Sequence, residues 1–134
     1  MPMIVVHYMT PRPHAGLKAE IAQRAARLAA ECLGKDPAVT AVLVKEAAPG
    51  EWFIAGREPA AQGYAAFWLD IKVTHGTNTK AEATAFVRMA YDEMAELLGP
   101  VNSESYVYVH AADGDAYGYG GRTQNGRWAA THPG

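Results

Sequence analysis

The sequence holds a single cysteine, Cys32, among its 134 residues. One thiol excludes an intramolecular disulfide framework and a thiolate zinc site, and it suits a reducing cytoplasm. Charge is also scarce: charged residues make up 19% of the chain, and 12 Lys+Arg against 14 Asp+Glu leave a formal net charge of −2. With no Lys/Arg run, neither nucleic acid nor an anionic membrane surface is an expected partner. No apolar stretch reaches the roughly 18 residues that span a bilayer, and Met1-Pro2-Met3-Ile4-Val5-Val6-His7 lacks the basic region of a signal peptide. His7, His110 and His132 show no ligand spacing, so no metal site is expected. Apolar side chains are plentiful at 49%, enough for a single domain over residues 1–134 to bury a core without staples.

The apolar residues are ordered. Met3 to Met9 is a short β-branched run that reads as a strand, and Thr10-Pro11-Arg12-Pro13 breaks it. Leu17, Ile21, Leu28 and Cys32 then recur at helical spacing, which predicts a helix from about Pro13 or His14 to Leu33, ended by Gly34. Val39 to Glu46 reads as a second strand, its continuous Val42-Leu43-Val44 suggesting cover on both faces. Glu51 to Gly56 follows as an extended excursion or hairpin. Tyr64 to Thr74 alternates Phe67, Leu69, Ile71 and Val73 with Trp68, Asp70, Lys72 and Thr74, the period of a strand with one face on a core. On that pattern Asp70 and Lys72 belong to a solvated or interface face. A second helix, capped by Asn78 or Thr79, carries Phe86, Ala90, Met94 and Leu97/Leu98 and ends at Gly99-Pro100. Ser105 to His110 is the fourth strand.

The fold class expected is therefore α+β. Two tandem β-α-β units, about residues 2–60 and 61–114, form a four-stranded sheet with two helices on one face, and a tail follows over 115–134. The other sheet face, with Trp68 and Tyr108, needs cover, which predicts an oligomer closed into a ring. The tail is rich in Gly and Tyr and is expected to order against a neighbouring chain. Its Gly118, Gly120 and Gly121 make no phosphate loop, lacking a following helix and lysine.

Pro2 is the most informative residue. A methionine aminopeptidase removes Met1 before a small second residue, leaving a free secondary amine. Primary α-amino groups titrate near pKa ~8. Burial near a cation would take a terminal amine toward neutrality and make it a general base or Schiff-base former.

Pro2-Met3-Ile4-Val5-Val6-His7, Arg12, the first helix, and Thr40 to Glu46 leading into Pro49-Gly50-Glu51-Trp52-Phe53-Ile54-Ala55-Gly56 together resemble the tautomerase superfamily, typified by 4-oxalocrotonate tautomerase. The last segment looks like the family's Gly-x-aromatic-x-Ile-Gly-Gly hairpin. Double length makes the chain similar to fused members of the cis-3-chloroacrylic acid dehalogenase group. The resemblance implies a tautomerase/macrophage migration inhibitory factor-like fold, a homotrimer and cofactor-free enol–keto chemistry on a small carboxylate-bearing acid.

Carried over by residue, the resemblance makes Pro2 the catalytic base and Arg12 a carboxylate ligand, a task the planar guanidinium suits. Trp52 takes the hairpin aromatic that keeps the amine dry, and Tyr108 matches a tyrosine that hydrogen-bonds substrate or water. The departures bear on substrate. The tautomerase's second arginine falls on Ala41, and the dehalogenase group's two arginines fall on His75 and Asn78. That group's helical histidine falls on Ala29, and its water-activating glutamate falls near Tyr117, with Asp113 and Asp115 the nearest carboxylates. His75 is thus a candidate oxyanion donor or switchable cation, and Arg122 a candidate replacement cation from the tail. A tautomerase of 2-oxo acids or dienols is the expected function. A hydratase or dehalogenase of unsaturated acids, needing Asp113 or Asp115 near Pro2, is the alternative, and a catalytically decayed trimeric binding protein is a third reading.

Overall fold

Ile4, Val6 and Tyr8 alternate along the first strand and are all buried, because one face of that strand lies under two helices. In the computed structural model, which describes residues 2–133, the strand is β1 (Met3–Met9), followed by α1 (Leu17–Leu33) and β2 (Ala41–Glu46). The second unit supplies β3 (Ala66–Thr74), α2 (Lys80–Leu98) and β4 (Tyr106–Ala112). The sheet order is β2-β1-β3-β4, with β1 parallel to β2, β3 parallel to β4, and the two units joined antiparallel through β1 and β3. This is the expected pair of β-α-β units in one four-stranded sheet.

Phe67, Leu69, Ile71 and Val73 of β3 meet Leu17, Ile21, Ala25 and Leu28 of α1 and Phe86, Ala90, Met94 and Leu98 of α2 in one core. Thr79 caps α2 in a reciprocal box: its hydroxyl accepts from the Glu82 N–H at 3.1 Å, and the Glu82 carboxylate accepts from the Thr79 N–H at 2.8 Å. That backbone bond, aided by the Asn78 amide, holds the Glu82 carboxyl below its ordinary range. Arg24 and Arg27 of α1 both reach Glu93 of α2 and hold the helices side by side.

Several boundaries differ from the sequence pattern for local reasons. Gly16 is left-handed at φ 85°, so α1 starts at Leu17 and not at Pro13. Asp36 accepts from the Ala38 N–H at 2.9 Å and caps a 3₁₀ turn over Pro37–Val39, which delays β2 to Ala41. Leu43 is 42% exposed, so the apolar run of β2 is covered on one face only within a protomer. Ile54 and Arg57 exchange both backbone hydrogen bonds around Ala55 and Gly56, both at positive φ, which is a tight two-residue hairpin turn inside the expected excursion.

The tail corrects one expectation outright. It orders against its own chain: β5 (Gly118–Tyr119) and β6 (Arg122–Thr123) form a ribbon, and α3 (Gln124–Thr131) follows. Asn125 of α3 donates to Asp115 at 2.9 Å, and Tyr117 pairs its hydroxyl with Thr74 of β3. A helix does therefore follow the glycines, although no lysine accompanies it. Among the described residues no helix is long and apolar enough to cross a membrane.

Candidate active site

Pro2 is buried at the N-terminal edge of β1, and its carbonyl accepts from the Ala41 N–H at 3.0 Å, the bond that opens the β1–β2 pairing. Beside it lies a cavity of about 370 Å³, walled by Met3, Val39 and Ala41 on one side and Tyr117 to Tyr119 on the other. Its lining is overwhelmingly apolar. Among the described residues the one charged group on it is Lys72 of β3.

Lys72 comes to Pro2 through sheet topology. β1 and β3 run antiparallel with Met3 opposite Lys72, so the end of β3 lies beside the start of β1. The Lys72 ammonium is 2.8 Å from Asp70 Oδ1 and its side chain is about half exposed. It does lie on the open sheet face that the alternation assigned to it, and it also edges the Pro2 cavity. The signal that would have singled it out is the pairing of the two units, which no local pattern states.

The other candidates fall in different places. His75 is exposed just beyond β3, at the Pro2 end of the sheet. Its side chain borders a separate polar hollow shared with Thr74, Asp113 and Asn125. Asn78 donates to the Leu33 carbonyl at 2.8 Å and so ties the end of α1 to the start of α2. Asp113 accepts from the Asp115 N–H at 2.9 Å, and neither carboxylate lines the Pro2 cavity. Arg122 lies across the ribbon from Tyr119 and borders a shallow hollow with Asp115 and Tyr117.

Arg12 and Trp52 sit at the opposite end of the sheet within one protomer. The Arg12 guanidinium donates to the carbonyls of Gly63 at 2.9 Å and Pro100 at 3.4 Å, joining the loop before β3 to the end of α2. Trp52 borders a hollow with Phe53, Trp68, Glu104 and Tyr106. Between the two ends runs the open face. There His7 stacks on Trp68 at 5.6 Å, Trp68 meets Tyr108 edge-on at 6.4 Å, and Tyr108 stacks on Tyr106 at 6.1 Å. Met3, Leu43, Trp68, Tyr106 and Tyr108 are all substantially exposed on it. Among the described residues no group of three His, Cys, Asp or Glu side chains converges to hold a metal ion.

No family model matches the chain, and no curated protein matches its sequence. Solved structures match its shape. Pt0534 inactivated by 2-oxo-3-pentynoate superposes with a TM-score of 0.79 at 17% identity, covering 92% of this chain and 96% of its own. A fused 4-OT, Q0, seen as a wild-type symmetric trimer, gives 0.79 at 16% identity over 93% and 98%. A macrophage migration inhibitory factor-like protein from Entamoeba histolytica gives 0.74 at 18% identity over 91% and 97%. The chain has the tautomerase/macrophage migration inhibitory factor superfamily fold, and it resembles the fused, double-length 4-oxalocrotonate tautomerase members in form.

Proposed function

We propose that this chain, once Met1 is removed, is a cofactor-free enol–keto tautomerase of a small 2-oxo acid or dienol, with Pro2 as its general base. The observation that carries the reading is the position of Pro2: buried, on an apolar cavity, with a single lysine on the same wall. While Met1 is attached the Pro2 nitrogen is an amide whose lone pair is delocalised. Freed, it is a secondary amine, and both the apolar surround and the Lys72 cation favour its neutral form. The neutral amine takes the enol hydroxyl proton as the C=O forms, and the resulting ammonium returns a proton to the carbon that held the other end of the C=C bond. Nothing is gained or lost overall, so no cofactor is needed. Lys72 supplies the positive charge that a substrate carboxylate requires. Asp113 and Asp115, the carboxylates that hydration or dehalogenation would need beside Pro2 to activate water, are not among the described residues of the lining, which supports tautomerisation.

The open face supports a homotrimer. Its exposed aromatics form a continuous apolar surface of the kind an oligomer covers, and the Q0 and F6 fused 4-OT proteins are trimers. In such an assembly Arg12, Trp52 and Tyr108 of one protomer are proposed to complete the Pro2 site of the next. Sedimentation equilibrium is expected to give three times the 14.4 kDa chain. A monomer would remove this part of the reading.

The direct test uses 2-oxo-3-pentynoate, the inactivator of Pt0534. Its alkynyl ketone accepts an amine by conjugate addition with no leaving group. Chain shown by mass to lack Met1 is expected to gain one equivalent of reagent on the Pro2 peptide and to lose ketonisation of phenylenolpyruvate in step. Chain retaining Met1 is expected to gain none there. Labelling elsewhere, or labelling without loss of turnover, would overturn the role of Pro2. Ligand binding without any turnover would favour the decayed binding protein.

A further inference from the structure

The Tyr117–Gly121 segment has no counterpart in the chemistry above, yet its tyrosines form one wall of the Pro2 cavity. We propose that this C-terminal ribbon is the specificity element of the site: Tyr119, positioned by Arg127, selects acids that carry a flat apolar group beside the carboxylate. The proposal rests on the tautomerase reading of the cavity and adds its substrate class.

The ribbon is built to hold that wall. Gly118 pairs with Thr123 and Tyr119 with Arg122 across β5 and β6. A Cβ on Gly118 would lie 1.8 Å from the Arg122 carbonyl oxygen, so the strands approach this closely only with glycine there. Gly120, at φ 62°, lets the chain reverse immediately after Tyr119. Arg127, on α3, then fixes Tyr119 twice. Its Nε and Nη2 donate to the Tyr119 carbonyl at 3.2 and 2.9 Å, and its guanidinium lies 3.9 Å from the centre of the Tyr119 ring. The base of the ribbon is anchored as well, by the bond between Tyr117 and Thr74 and by the Gln124 N–H donating to the Tyr117 carbonyl at 2.9 Å. Thr123 caps α3 by accepting from the Gly126 N–H at 3.0 Å.

The wall restricts what fits. Within one protomer the described lining sets Lys72 beside Met3, Val39 and the tyrosines. With the substrate carboxylate on that cation, an aryl group lies against an aromatic wall, a contact that a polar chain does not make. The cavity volume of 370 Å³ is within the range of small-molecule sites, about 300–1,000 Å³.

The test compares ketonisation of phenylenolpyruvate with that of the dicarboxylate 2-hydroxymuconate in Met1-free wild type, Tyr119→Ala, Arg127→Ala and Arg127→Lys. In parallel, calorimetry measures binding of cinnamate, an unreactive aryl acid, to each, with thermal melting to confirm folding. The wild type is expected to prefer the aryl substrate. Tyr119→Ala is expected to lower kcat/KM for it about fivefold through KM and to weaken cinnamate similarly, with the dicarboxylate changed less than twofold. Arg127→Ala should move in the same direction and Arg127→Lys should recover part of the loss. Turnover in every folded variant with an unchanged preference would overturn the ribbon proposal and leave the tautomerase reading standing. No turnover in wild type, with cinnamate binding still weakened by Tyr119→Ala, would overturn the tautomerase reading and keep the ribbon. Failure of wild type to bind cinnamate would overturn the selection proposed here.

Discussion

Replacing Pro2 with alanine, in chain freed of Met1, is expected to slow ketonisation of phenylenolpyruvate by about 10², the lower end of what a positioned general base contributes. Alanine keeps a terminal amine, so the loss reports what proline adds: a secondary nitrogen in a ring with φ fixed near −65°. That rigidity matters at the edge of β1, where the Pro2 carbonyl is already committed to the Ala41 N–H. The pH dependence follows from the same site. An α-amino group ordinarily titrates near pKa ~8. Burial in the cavity and the Lys72 charge both disfavour the ammonium, so the Pro2 amine is expected to titrate below that value. Activity depends on the neutral form, so the rate should rise with pH and reach its plateau below the ordinary α-amino range. Chain retaining Met1 should show no such rise. Matched rates in Pro2→Ala and wild type across the pH range would take Pro2 out of the mechanism.

Much of this arrangement was legible in the order of residues. The alternation of Phe67, Leu69, Ile71 and Val73 and the helical stripe through Phe86, Ala90 and Met94 name their buried faces, because a strand and a helix each expose a period to selection by the core. The same alternation places Trp68 and Tyr108 on the open face, where they are exposed. Boundaries set by one side-chain bond or one left-handed glycine, such as the Asp36 turn before β2 and Gly16 before α1, are weaker in the pattern. The tail escapes such patterns for a different reason. Its stability comes from Arg127 on Tyr119, Asn125 on Asp115 and Tyr117 on Thr74, contacts between residues of no apolar period. At the candidate site, Pro2 stands out in the sequence by the chemistry of a terminal secondary amine together with the resemblance. Arg12 and Trp52 were legible only through resemblance, and within a protomer they lie away from Pro2, Arg12 holding the Gly63 and Pro100 carbonyls. Lys72 carries no local signal of its own, because its strand period says only which face it occupies. Its neighbour across the sheet is decided by the antiparallel joining of β1 and β3, a contact between units far apart in sequence.

Lys72→Met is expected to raise KM for phenylenolpyruvate about tenfold or more, with a smaller change in kcat. Hydrogen bonds to charged groups contribute about 1.5–3 kcal/mol, and the half-exposed Lys72 belongs toward the lower end because water screens it. Methionine keeps the length and apolar stem of lysine, so the cavity wall is preserved while the charge is lost. Asp70 bears on the size of the effect. Its carboxylate, 2.8 Å from the ammonium, orients Lys72 along the strand and also competes with a substrate carboxylate for it. Added salt should therefore raise KM in wild type and hardly at all in Lys72→Met. Removing the cation also relieves the Pro2 ammonium, so the rise in rate should move to higher pH in Lys72→Met and stay in place in Lys72→Arg. These two effects separate Lys72 from a group that merely shapes the wall. Unchanged KM together with an unmoved pH profile would assign the carboxylate to another cation, and the guanidinium of Arg12 from a neighbouring protomer would then be the group to substitute, its cost in stability distinguished by melting because it also holds the end of α2.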